Sequence, residues 1–143
     1  MYSPCMMAAN EAASKGYQAR NDGRLAAARA HYGDAARLYR EQKDVLAYAH
    51  AIRHIADIYQ QELNPLSAKP LYEEALDIYR VNLNTKLLDL ANTVRPYALV
   101  LEQQGDSATA LKFWEEARNL YSSLRIEEGV LECSQHITHL HQA

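Results

Sequence analysis

Ala68-Lys69-Pro70-Leu71-Tyr72-Glu73-Glu74-Ala75-Leu76-Asp77-Ile78-Tyr79 decides the fold of this 143-residue chain, because the same order of side chains occurs twice more. Upstream it reads Ala28-Arg29-Ala30-His31-Tyr32-Gly33-Asp34-Ala35-Ala36-Arg37-Leu38-Tyr39. Downstream it reads Ala110-Leu111-Lys112-Phe113-Trp114-Glu115-Glu116-Ala117-Arg118-Asn119-Leu120-Tyr121. In each copy a small Ala precedes a large aromatic by four residues, a second Ala follows three later, and the segment closes on an aliphatic and a Tyr. Tyr32 to Tyr72 is a step of 40 residues and Tyr72 to Trp114 one of 42, which are periods of a helical solenoid. One repeat cannot bury its own apolar face, so the copies are expected to stack and to form a groove suited to binding rather than to chemistry.

Apolar residues recur at three- and four-residue spacing around these segments and nowhere alternate with period two, which predicts an all-α chain. Turn formers divide it. Asn64-Pro65 reads as an N-cap followed by proline at the first helical position, and Gly105-Asp106 as a helix stop followed by a cap. Together with Asn21-Asp22-Gly23, Gln42-Lys43-Asp44, Asn82 to Thr85 and Leu124 to Glu127 they predict seven helices, over 6–21, 24–42, 45–62, 65–81, 86–104, 107–123 and 127–141. The first six pair into hairpins 6–42, 45–81 and 86–123, with Gly23, Leu63 and Gly105 at equivalent turns. The seventh aligns with the openings of the third and fifth and reads as a capping helix on a single domain spanning 1–143.

Apolar residues make up 48% of the chain and charged ones 23%, so a core large enough to need no metal or disulfide is expected. A net charge of -3 and a pI near 6.0 argue against nucleic acid or an anionic membrane as the main partner. Cys5 and Cys133 fall at the first and last predicted helices, where stacked repeats do not meet, so reduced thiols and a cytoplasmic location are expected. The chain opens with no basic, apolar leader and contains no 18-residue apolar run, which points the same way.

Aligned in this manner, the repeats resemble tetratricopeptide repeats over almost the whole chain. The family places a small residue midway along the first helix of each pair, a turn former between the helices, and Ala, an aromatic and Ala along the second. Those places are held here by Gly16, Gly23, Ala28, Tyr32 and Ala35, then by Ala56, Leu63, Ala68, Tyr72 and Ala75, then by Ala98, Gly105, Ala110, Trp114 and Ala117. The long step and the missing terminal proline are similar to the longer variant found in kinesin light chains and many bacterial repeat proteins. The resemblance implies a right-handed α-solenoid of three hairpins plus the capping helix, acting as a protein or peptide interaction scaffold. It also implies no catalytic residues and no cofactor. The family's carboxylate clamp is not matched, since Ala13, Tyr17, His54, Asn92 and Pro96 stand at its positions.

In such a superhelix the first helix of each pair lines the concave face. The candidate peptide-binding residues are therefore Tyr17 and Arg20 from the first helix, and His50, Arg53, His54 and Asp57 from the third. Asn92, Arg95 and Leu99 follow from the fifth, then Gln135 and His136 from the seventh. Arg53 and Arg95 are equivalent, and two such forks suit an acidic segment held bidentately, unless each pairs internally, Arg53 with Asp57 for instance. Two rival readings go with this one. Val130, Leu131, Ile137 and Leu140 make the seventh helix apolar enough for a homodimer through the end helices. His50, His54 and Asp57 fall at i, i+4 and i+7, acceptable spacing for a metal-dependent enzyme, but no HExxH, CxxC, P-loop or nucleophile-elbow motif accompanies them, so no bound metal is expected.

Overall fold

The structure is a computed structural model that describes residues 3–142. Its helices are α1 (Pro4–Asn21), α2 (Leu25–Glu41), α3 (Val45–Gln61), α4 (Pro65–Val81), α5 (Leu87–Gln103), α6 (Ser107–Ser123) and α7 (Glu127–Gln142), with no strand among the described residues. All agree with the sequence expectation to within two residues. The largest difference is at α1, which begins at Pro4 because Ser3 caps it: the Ser3 hydroxyl accepts from the Met6 amide, and proline occupies the first helical position, where no amide is needed.

One device ends the helices. Gly23, Lys43, Leu63, Gly105 and Arg125 all have positive φ, between 58° and 83°. In each case the amide of the next residue reaches back five positions, from Arg24 to Ala19, Asp44 to Tyr39, Asn64 to Tyr59, Asp106 to Leu101 and Ile126 to Tyr121. This is the Schellman closure, which satisfies carbonyls that the helix end would otherwise leave unpaired. Where the residue after the turn is Asp44, Asn64 or Asp106, its side chain then accepts from an amide of the following helix, so one residue closes one helix and opens the next. The connection from α4 to α5 is built differently. There the Thr85 hydroxyl donates to the Tyr79 carbonyl at 2.7 Å, and the two residues that lengthen the second repeat step lie between Val81 and Leu87.

The chain forms two compact units, one up to Ile78 and one from Tyr79 onward. Within the first, Ala28, Tyr32, Ala35, Ala68, Tyr72 and Ala75 are buried, and within the second so are Ala110, Trp114 and Ala117. The repeat positions are therefore core positions, where small residues let helices approach and the aromatic fills the space between them. Gly16 shows how close the approach is. A Cβ there would lie 2.7 Å from the Tyr32 ring, and one at Gly129 would lie 2.5 Å from Tyr121.

Four of the buried aromatics place their polar ends on an acceptor of the first helix of a pair, as buried hydroxyl and indole groups require. Tyr39 donates to Asn10 and Tyr72 to Asp57 in the first unit. Tyr121 donates to Asn92 and Trp114 Nε1 to Glu102 in the second.

Candidate functional site

In the first unit, α1 and α3 bring Tyr17, Arg20, His50, Arg53, His54 and Asp57 into one neighbourhood. His54 lies at its centre, flat on the Tyr32 ring with centroids 4.8 Å apart, and the His50 ring meets it edge-on at 4.5 Å. Arg20 Nη1 stands 3.5 Å from His54 Nδ1, while Arg53 Nη2 stands 3.3 Å from His54 Nε2. Burial, and then the charges of Arg53, His50 and Arg20, push the His54 pKa down to about 2, so the ring is neutral. A neutral imidazole has one lone pair and one N–H. It can accept from one of the two guanidiniums and must turn an N–H toward the other.

Other acceptors here are few. Arg53 pairs with Asp57 at 2.7 Å, both side chains nearly buried at 12% and 13% exposure, so the internal pairing that rivals ligand binding is present. Asp57 also accepts from the Tyr72 hydroxyl, and Arg53 Nε is buried with no acceptor at all. Arg20 uses its Nε on Gln61. Tyr17, at 59% exposure, lies one turn from Arg20 on the same face of α1.

In the second unit the sequence-predicted residues divide. Asn92 is committed to packing through the Tyr121 hydroxyl, and Leu99 is half-buried. Arg95 reaches Glu132 at 3.4 Å, with a third or more of each side chain exposed. Gln135 is exposed, and His136 lies flat on Trp114 with centroids 4.0 Å apart. Its Nδ1 is 3.0 Å from Glu102 Oε1. Glu102 is the residue that sequence reasoning missed. Carrying the 40- and 42-residue steps from Arg20 through Gln60 reaches it, and the helical-face argument stopped at Leu99.

Among the described residues no cluster of three His, Cys, Asp or Glu side chains could hold a metal, and no helix is long and apolar enough to cross a membrane. Both cysteines are free thiols, and burial together with Glu132 raises the Cys133 thiol to about 11.

The fold is an all-α helical-repeat solenoid, tetratricopeptide-like in the layout of each hairpin. No protein-family model and no curated protein matches the chain. Among solved structures it is similar to the N-terminal domain of stress-induced protein-1 (STI-1) from C. elegans, with TM-score 0.72 and 17% identity over 94% of this chain and 98% of that one. It is also similar to BtubC (BKLC) from P. vanneervenii, with TM-score 0.53 and 21% identity, covering 99% of this chain and 50% of that one. At these identities the likeness is one of fold.

Proposed function

We propose that this chain is a protein-interaction scaffold without catalytic chemistry, whose odd-numbered helices hold a segment of another protein in a groove. The observation that carries the reading is the shortage of acceptors around His54. Two guanidiniums share one neutral imidazole; beyond it Arg20 has the Gln61 amide oxygen, and Arg53 has one carboxylate that Tyr72 also uses. An acidic side chain or chain terminus supplies the missing acceptors through charge-assisted hydrogen bonds, and Tyr17 gives the segment an apolar surface beside them. In this reading Arg20, His50, Arg53, His54 and Asp57 form the anion-recognising part in the first unit, and Asn92, Arg95, Leu99, Gln135 and His136 are separate candidate contacts in the second. The repeats are of the long variant, and the protein works in the cytoplasm with Cys5 and Cys133 reduced.

A photo-crosslinking residue at position 17, compared with one at the exposed position Arg37 on α2, tests this. The expected result is one crosslinked partner at position 17 that disappears with Arg20→Ala and is competed by a glutamate-rich peptide. The same products from both positions, unchanged by Arg20→Ala, would reject the site.

One observation favours a second reading, a homodimer through α7. Ile137 is buried, but Leu131 is 61% exposed beside a groove of about 500 Å³ lined by Ser122, Ile126, Val130 and Ser134. Light scattering that returns a monomer would remove this alternative.

A further inference from the structure

The second unit repeats the geometry around His54 with its charge inverted. Arg20 and Glu102 hold the same place near the ends of α1 and α5, and each meets the histidine 34 positions on, His54 or His136. Both histidines lie flat on the aromatic of the preceding hairpin, at interplanar angles of 2° on Tyr32 and 8° on Trp114. The first histidine thus faces guanidiniums and the second a carboxylate.

Glu102, Gln135, His136 and His139 line an open concavity of about 280 Å³. Its one carboxylate is Glu102. The donors that hold Glu102 come from within the unit: Trp114 Nε1 at 2.9 Å and His136 Nδ1 at 3.0 Å both approach Oε1, and His136 Nδ1 stands 3.3 Å from Oε2. His136 turns Nδ1 to this carboxylate, and the Gln135 side chain brings an amide oxygen to the same concavity. A carboxylate accommodates about four donors, so Oε2 keeps capacity while Oε1 does not. That geometry suits a compact ammonium better than the planar fork of arginine, which needs both oxygens edge-on.

We propose that this concavity takes a lysine side chain of a partner protein. The proposal rests on the scaffold reading and adds the sign of the charge at Glu102.

Trp114 is the only tryptophan, and its indole N–H bonds Glu102, so one NMR resonance of the ¹⁵N-labelled chain reports on the site. Titration with acetyl-tetralysine amide should shift that resonance saturably, while acetyl-tetraglutamate amide should not. Glu102→Gln keeps an acceptor for the indole and places there the residue that α3 carries as Gln60; it should weaken tetralysine binding at least tenfold. Gln135→Lys, a surface change that puts an ammonium over the concavity, should do the same without touching the core. Absence of a saturable tetralysine shift, or one that survives both variants, overturns the proposal. So does a saturable response to tetraglutamate at Trp114. The scaffold reading fails separately, if tetraglutamate leaves the Arg20 and Arg53 side-chain resonances unmoved.

Discussion

Two glycines with the same freedom in sequence have different tasks in space. Gly16 faces the Tyr32 ring so closely that Gly16→Ala forces the ring or the helix to move, and overpacking of this kind costs about 1 to 3 kcal/mol. Gly33, inside α2, has nothing within 4 Å of where a Cβ would stand, so Gly33→Ala should stabilise by about 0.5 to 1 kcal/mol through the lower entropy of the unfolded chain. Chemical denaturation of both variants checks the pair, and equal shifts would remove the close contact from the account. His54 supplies a pH test. Its folded pKa lies near 2, below the ordinary 6.5, so the unfolded chain binds the proton first as pH falls. The stability it contributes is complete above about pH 6.5 and is lost progressively below it. His54→Phe keeps a flat ring on Tyr32 but cannot titrate, and between pH 7 and 5 it should lose on the order of 1 to 2 kcal/mol less than the wild type. Parallel losses would mean that His54 charges in the folded state. The sequence shows only the metal-like spacing of His50, His54 and Asp57; what decides the behaviour of His54 is first its burial, which the packing around α3 sets, then Arg53 and His50, with Arg20 of α1 last.

At the scale of the helix, the boundaries were legible wherever a side chain announces its turn, as Gly23, Asn64-Pro65 and Gly105-Asp106 do. Lys43 and Arg125 announce nothing, yet they take the left-handed conformation because the same closure is needed twenty residues after Gly23 and Gly105. Leu63 does so too while 86% exposed. Leu63→Gly should therefore raise stability by about 0.5 to 1 kcal/mol by removing the left-handed penalty. Arg24 offers the complementary case. Its backbone, φ −88° and ψ 76°, nearly matches that of Asp44 and Asp106, but it makes no side-chain cap. Arg24→Asp should supply one and add about 1 kcal/mol, outweighing an exposed ion pair with Asp22. Thermal melts of the two single variants and the double test this. A destabilised double variant would mean that the turns are held by something other than their closing residue.

For the molecule, the repeat register read from Ala, aromatic and Ala became the core, and the same register located the polar sites once contacts were known. The sequence offers Arg53, Arg95 and Asn92 as ligand contacts, and the structure gives each of them a neighbour inside the chain. Within the chain Arg53 pairs with Asp57, Arg95 with Glu132, and Asn92 with the Tyr121 hydroxyl. Arg53 and Asp57, four residues apart, were readable as a pair, whereas the other two pairs, 37 and 29 positions apart, leave no local signal; Glu102, the counterpart of Arg20, was within reach of the repeat step but lies beyond the helix face that ended at Leu99. What survives as the basis for function is local imbalance, with donors in excess around His54. The most direct test is calorimetric titration of acetyl-tetraglutamate amide into the wild-type chain and into Arg20→Ala, at low and high salt. The account predicts saturable binding that weakens as salt rises and falls by about 1.5 to 3 kcal/mol in the variant, the worth of one charged hydrogen bond. Equal affinity for both chains, or no binding to the wild type at low salt, would contradict it.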